Sequence, residues 1–179
     1  MKTIKLTKNK FAVVSDEDYE YLSNFKWCFY SGGYACRKIY PPRISPYKAT
    51  LILMHREILE RKLGYSIPEG MWCDHIDGNK LNNTRENLRL ATPQQNNANR
   101  SRTRSASGFR GVCKQVVKSK RKDGTLHIKE YWVATIYHPT TKHRIQKSFP
   151  YNDLGKIDAA NWEHEKLKEF YGEYAPQNI

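Results

Sequence analysis

The 179 residues contain no long apolar run. The one worth noting is Leu-Ile-Leu-Met at 51–54, far short of the roughly 20 residues that span a bilayer, so no membrane span is expected. Residues 1–10 are basic with no apolar stretch behind them, which gives no support to a secretory signal and implies a cytoplasmic setting. Cysteine is sparse: Cys28, Cys36, Cys73 and Cys113 fit neither a C-x-x-C redox pair nor the paired-cysteine layout of structural zinc. They read as unpaired thiols, with a zinc site built from Cys28, Cys36 and a histidine as the alternative. No internal repeat is visible. Acidic residues are the last scarcity, 18 against 31 Lys plus Arg for a net charge of +13. Between Ala98 and Lys147 stand 13 basic residues and two acidic ones, Asp123 and Glu130, so most of the excess lies in one stretch. A clustered excess implies a polyanionic partner.

The length suits one ordinary domain or two small ones. Residues 3–6 and 11–14 read as strands, and Asp16 can cap a short helix through Phe25. Two aromatic-rich runs, 26–30 and 34–40, flank Ser31-Gly32-Gly33 and predict a hairpin. After Pro41-Pro42, residues 49–54 predict a buried strand and 55–63 a helix with Gly64 as its C-cap. Residues 96–107 are polar, basic and poor in large apolar side chains, which marks a linker. Beyond it, 109–116, 131–137 and 143–149 predict three strands. In the middle one Trp132, Ala134 and Ile136 alternate with Val133, Thr135 and Tyr137. A stripe of Ile157, Ala160, His164, Leu167 and Tyr171 predicts an amphipathic helix closing the chain, with His164 in its packed face.

The densest polar chemistry runs from Cys73 to Asn96. Residues 71–75 predict a strand ending in Asp74 and His75, Asp77-Gly78-Asn79 a turn, and 88–91 a second strand. Thr92 as N-cap, Pro93 at N1 and Gln95 at N3 make a capping box, which puts Asn96 in the first turn of the next helix. A hairpin folded under that helix brings Asn96 towards Asp74. One carboxylate and one amide oxygen suit a hard cation that keeps its waters, Mg2+ or Mn2+. Hydrolysing a phosphodiester needs a water deprotonated near neutral pH, and imidazole is the side chain suited to that step. Arg89 or Arg56 could bind a neighbouring phosphate. The bland alternative is that these are turn formers and a structural Asp-His pair; a calcium loop is excluded because D-x-[DN]-x-[DN]-G with its distal Glu is absent. His55 reads as packing at a helix start.

The stretch Asp74-His75-Ile76-Asp77-Gly78-Asn79-Lys80-Leu81-Asn82-Asn83, followed by Asn87-Leu88-Arg89, Thr92 and Gln95-Asn96, resembles without a gap the HNH endonucleases, specifically the phage-type homing endonuclease group. The resemblance implies a ββα-metal core in which Asp74 and Asn96 hold the metal, His75 is the general base and Asn87 braces the loop. Asn96 stands where many relatives have His, which removes a nitrogen ligand and argues against zinc. For a phage-encoded protein the setting becomes the host cytoplasm.

From Ser107 to about Gly172 the chain resembles an Apetala/ERF-like DNA-binding domain, through Gly108-Phe109-Arg110-Gly111-Val112, Trp132-Val133-Ala134-Thr135-Ile136, and Phe149 leading to Ala159-Ala160. A long connection over 117–128 departs from that pattern. If Trp132, Ala134 and Ile136 pack on the helix, Val133, Thr135 and Tyr137 face outward, joined by Arg144 and Gln146 once Ile145 turns inward. Arg110, Lys114 and Gln115 are the candidates from the first strand for reading or holding DNA. Arg100, Arg102 and Arg104 would follow the backbone as an arm, and Lys118 to Lys122 fit either a solvated loop or phosphate contact.

The fold expected is therefore α+β: a ββα-metal nuclease core, then a small three-stranded antiparallel sheet packed on one helix. Its divisions are a strand-rich part at 1–70, the HNH motif at 71–99, a basic linker at 100–106 and a DNA-binding domain at 107–179. The function expected is metal-dependent cleavage of double-stranded DNA, site-selective and of homing type, with the oligomeric state left open. The competing functions are a non-catalytic DNA-binding regulator, which would keep the Asp74 to Asn96 fold as scaffold, and a structural nucleic-acid-binding protein of a phage particle. The complete set Asp74, His75, Asn96 favours the enzyme.

Overall fold

The computed structural model describes residues 1–40, 49–100 and 105–177, and the chain divides into two compact units, Met1–Asn96 and Asn97–Ile179. It is a mixed α+β protein of small, mostly antiparallel sheets. Among the described residues no helix is long and apolar enough to cross a membrane.

In chain order the first unit holds β1 (Lys2–Lys5), β2 (Phe11–Val14), α1 (Asp16–Ser23), β3 (Cys28–Phe29), β4 (Ala35–Ile39), β5 (Thr50–Leu53), α2 (Met54–Leu63), β6 (Trp72–His75), β7 (Asn82–Asn83) and β8 (Leu88–Ala91). A short helix, α3 (Pro93–Ala98), spans the division. Strand β1 pairs antiparallel with β2, whose other edge carries β7 in parallel. A second sheet has the order β3-β4-β5, and β6 pairs only with β8. One apolar core unites them, with Val14, Leu22, Met54, Ile58, Leu59 and Leu88 almost fully enclosed.

Two expectations change here. Strand β5 is half-buried at best, with Leu51 37% exposed; a short apolar run does not say what will cover it. Ser15, not Asp16, is the N-cap of α1, and its hydroxyl accepts from the Arg85 amide at 2.9 Å instead of closing the helix. Asp16, Glu17 and Asp18 fill the first turn, where the helix dipole favours them. Asp18 is fully buried and accepts from Arg85 Nε at 2.7 Å, Arg85 Nη2 at 2.8 Å and Arg61 Nε at 3.2 Å. Burial alone would raise its carboxyl; the two guanidinium groups outweigh burial and hold it below the ordinary aspartate value. This cluster ties α1 to the segment just ahead of β8.

The second unit holds β9 (Val112–Lys120), β10 (Leu126–Tyr137), β11 (Arg144–Pro150) and α4 (Asp153–Tyr171), with the sheet in the order β11-β10-β9 and antiparallel throughout. Asn152 caps α4, its Oδ1 accepting from Gly155 N at 2.7 Å. A Cβ on Gly155 would lie 2.1 Å from the Pro150 carbonyl, so only glycine lets the helix start this close to β11. Ala134, Ala159 and Ala160 make one packed cluster, and Ile136 with Leu167 another. These settle Trp132, Ala134 and Ile136 on the helix side.

The packed stripe of α4 runs through Ala159, Ala160, Glu163, His164 and Leu167, while Ile157, expected inside, is 48% exposed. Val133 is only 2% exposed although alternation puts it on the outward face: a period of two decides which side chains share a face, not whether that face is covered. The expected connection over 117–128 is instead mostly strand. Lys118 and Lys120 lie in β9, paired with Ile128 and Leu126, around the turn at Lys122-Asp123-Gly124. Gly124 has φ +83°, and its amide donates to Arg121 O, the bulged three-residue hairpin loop. Charged residues on alternate positions concealed the strand period.

Candidate active site

Strand β6 ends in the pair of interest. Asp74 faces Arg89 across the ladder and His75 faces Leu88. Asp74 is 4% exposed; its Oδ2 accepts from Arg89 Nε at 2.9 Å, and Arg89 Nη2 stands in ion-pair contact with the same oxygen at 2.9 Å. The turn that follows is held by its own side chains. Asp77 Oδ1 accepts from Asn79 N at 2.8 Å, and Gly78 adopts φ +70° while donating to His75 O. Asn87 reaches into the same loop: its Oδ1 accepts from Asp77 N at 3.0 Å, and its Nδ2 donates to Asp77 Oδ1 at 2.9 Å and Asn82 O at 2.7 Å. Lys80 Nζ donates to Gly32 O at 2.8 Å and lies over the Tyr34 ring, so the loop is tied to the turn between β3 and β4 as well. From α2, Lys62 Nζ donates to Arg85 O and Leu88 O at 2.8 and 3.0 Å, holding the start of β8.

His75 is 6% exposed, and its Nε2 meets Asn83 Oδ1 at 3.2 Å. With the Asn83 amide in this orientation its oxygen can only accept, and a neutral His75 then carries its proton on Nε2, leaving Nδ1 as the basic nitrogen. Burial pushes the imidazole below its ordinary value; the Asn83 bond, with Asp77 and Asp74 behind it, recovers part of that shift. Asn83 has no exposed surface. It stands on β7, opposite Val14 of the parallel neighbour β2. The His55 ring meets the His75 ring edge-on at 5.0 Å and the Tyr34 ring at 4.8 Å. His55 is pushed down to about 3, chiefly by burial and then by His75, so it is neutral, and its Nδ1 has no hydrogen-bond partner. Cys73 is pushed up to about 12 by burial and by the charge of Asp74, which makes its thiol inert near neutrality.

Of the residues singled out from sequence, the fold gathers Asp74, His75, Asn87 and Arg89 around one loop. Asn96 lies in the first turn of α3, half-buried, its amide donating to Thr92 O. The capping box ahead of it is formed in both directions: Thr92 N donates to Gln95 Oε1 at 2.7 Å, and Gln95 N to Thr92 Oγ1 at 3.2 Å. Asn83 is the residue that sequence reasoning misses. Its one sequence signal is its place in the Asn82-Asn83 turn pair, and its partner's strand lies some seventy residues earlier. His55 packs at its helix start as expected, and what it packs on is His75.

The DNA-contact candidates divide by face. Gln115, Thr135, Tyr137, Arg144 and Gln146 share the sheet face away from α4, with Thr135 opposite Gln146 and Tyr137 opposite Arg144; Gln146 Nε2 donates to Thr135 Oγ1 at 2.9 Å. Lys114 lies on the other face and pairs with Glu130 at 2.7 Å. Arg110 is drawn to α4, 3.4 Å from Glu163, and it also donates to the Ala98 carbonyl. Arg100 is exposed. Arg102 and Arg104 lie outside the described residues.

Similarity to known proteins converges on the segment just described. The sequence family described as HNH endonuclease matches residues 53–98. An uncharacterised HNH endonuclease of Acanthamoeba polyphaga mimivirus is 37% identical over 121 residues, 67% of this chain and 60% of that protein. Protein 3.8 of Escherichia phage T7 is 33% identical over 122 residues, 68% of this chain and 86% of that protein. A SPbeta prophage-derived protein of Bacillus subtilis (strain 168), named for the HNH homing endonucleases, is 34% identical over 80 residues, 45% of this chain and 46% of that protein. No solved structure matches the chain. Asp74, His75 and their bracing loop all lie inside the matched segment, so the chain carries an HNH endonuclease domain over residues 53–98.

Proposed function

We propose that the protein is a metal-dependent endonuclease acting on double-stranded DNA, with the β6–β8 ladder and α3 serving as a ββα-metal core. The observation that carries this reading is the His75 to Asn83 bond. A buried imidazole at a strand end, with its Nε2 engaged by a carbonyl, presents Nδ1 as the proton acceptor a hydrolytic water needs. Asp74 and Asn96 are the groups to hold the cation. Both offer hard oxygen donors, which suit an ion that keeps most of its waters, as Mg2+ does. When bound, the metal stabilises charge on the scissile phosphate and the leaving 3' oxygen. His75 takes the proton of the attacking water, Asn83 fixes which nitrogen takes it, and Asn87 holds the loop in register. Arg89 positions Asp74.

The second unit supplies DNA affinity in this reading, through Gln115, Thr135, Tyr137, Arg144 and Gln146 on the open sheet face. Arg100, Arg102 and Arg104 follow the backbone, and Arg110 and Lys114 hold the sheet to its helix and neighbouring strand. Site selection and a homing role follow as part of the same proposal.

Supercoiled plasmid incubated with purified protein should be cut with Mg2+ or Mn2+ and left intact in excess chelator. His75→Ala should bind DNA as before and cut at least about 100-fold more slowly, the scale of a missing general base. Undiminished cutting by His75→Ala, or in chelator, overturns the assignment.

A further inference from the structure

Strand β11 pairs with β10 only from Tyr131 to Tyr137. Beyond that point the sheet continues as two strands alone, residues 116–120 of β9 against 126–130 of β10. Five residue pairs at about 3.4 Å each make an overhang of roughly 17 Å. Its side chains belong to neither apolar cluster of the second unit. Val116, Val117, Leu126 and Ile128 are 44%, 44%, 56% and 51% exposed. An isolated two-stranded hairpin is marginal in water, so a long, regular one with four exposed aliphatic side chains implies a surface to meet.

Its charge says which kind. Residues 116–130 carry Lys118, Lys120, Arg121, Lys122 and Lys129 against Asp123 and Glu130. Both acids are already engaged: Asp123 Oδ1 accepts from Thr125 N and Oγ1, and Glu130 pairs with Lys114. Among the described residues, Arg121 has a side-chain partner in His127, across the ribbon at 3.0 Å. The register puts Lys118 and Lys120 beside Ile128 and Leu126 on one face, Lys129 beside Val117 on the other, and Lys122 at the tip. A major groove admits a two-stranded β-ribbon, and a ribbon lodged there meets phosphates on both sides and thymine methyls on its floor.

We propose that this overhang is a duplex-DNA contact arm, separate from the open sheet face, that inserts into a groove with Lys118, Lys120, Lys122 and Lys129 on phosphates and the aliphatic side chains against bases. The choice of DNA over other polyanions rests on the endonuclease reading. The arm lengthens the bound site beyond what the three-stranded sheet covers.

The test uses the full chain with Lys118, Lys120, Lys122 and Lys129 all changed to Gln. Binding to a long duplex is measured across salt concentrations, beside hydroxyl-radical footprints and cutting of a short duplex. Each lysine taken off a phosphate lowers the slope of log K against log salt by about 0.9, so the quadruple variant should drop by about 2 to 4 in slope and show a shorter footprint, with short-duplex cutting retained. A folded variant whose slope and footprint match wild type overturns the arm while leaving the nuclease intact. Wild-type binding with the expected arm effect but no cutting in any metal overturns the nuclease and leaves the arm. If the wild type proves a dimer by sedimentation and the variant a monomer with unchanged slope, the overhang pairs two copies and the proposal fails. Should the quadruple variant not fold, Lys120→Gln with Lys122→Gln carries the same test, with an expected drop in slope of about 1 to 2.

Discussion

The loop after β6 and the sheet of the second unit are both rich in polar side chains, and they use them in opposite ways. Around His75 most polar side chains are turned inward and paired, Asp77 with Asn79 and Asn87, Asn83 with His75, Arg85 with Asp18, while the buried Nδ1 of His55 and Nδ2 of Asn83 lack a hydrogen-bond partner among the described residues. In the second unit the lysines stand outward on strands whose far ends have no third partner. A site that must hold one nitrogen in one orientation needs many short bonds. A surface that must meet a long polyanion needs charge on a regular frame. Chain position follows the same division, since the stretch from Ala98 to Lys147 alone sets 13 basic residues against two acidic ones.

The largest effect that would sharpen this contrast belongs to the buried charge cluster. Removing one partner of a buried ion pair costs roughly 3 to 5 kcal/mol, and Asp18→Ala should fall at the lower end because Arg85 keeps Glu17 at 3.0 Å. Because the folded-state value of Asp18 is depressed, its contribution is present above the ordinary aspartate value and fades as pH falls through the folded one. Urea melts at pH 7 and below pH 3 should show the wild-type advantage over Asp18→Ala shrinking; a constant gap would break the account.

Glu163 offers the opposite sign in the other unit. It is 5% exposed, and burial pushes it up to about 7 against the pull of Arg110. A carboxyl whose folded value is raised costs stability as pH climbs from its unfolded value, about 4.3, through the folded one, by up to about 4 kcal/mol at the upper end. Glu163→Gln should therefore flatten the fall in stability of the second unit between pH 5 and 8. A wild-type protein equally stable at both ends would contradict it.

A smaller effect on rate separates orientation from packing at Asn83. Asn83→Leu should lower kcat by about tenfold or more with KM little changed, the pattern of an interaction needed in the transition state. Nitrogen chemical shifts of His75 should lose the Nε2–H tautomer at the same time. Unaltered tautomer and kcat in a folded variant would make Asn83 structural only.

What could be read from sequence was local. The capping box of Thr92 and Gln95, the left-handed Gly64 closing α2 and the alternation of Trp132, Ala134 and Ile136 all depend on neighbours within a few residues, and the fold contains each of them. What escaped was pairing across distance. Asp18 and Arg85 are 67 residues apart, and nothing near either residue announces the other. The parallel contact that seats Asn83 joins strands from opposite ends of the first unit. The overhang escaped for another reason: its lysines gave 117–128 the composition of a loop, and only the Asp123-Gly124 turn inside it betrayed a hairpin.

The parallel pairing of β7 with β2 also bears on the order of synthesis. Val13 and Val14 leave the ribosome long before Asn82 and Asn83, so the first strands must wait, unpaired on that edge, until the loop that completes them is made. The segment matched to the family begins at residue 53, yet the frame that seats Asn83 and anchors Arg85 comes from the first eighteen residues. A fragment trimmed to the recognisable motif would keep Asp74, His75 and Asn96 and lose the surface that tells His75 where to point.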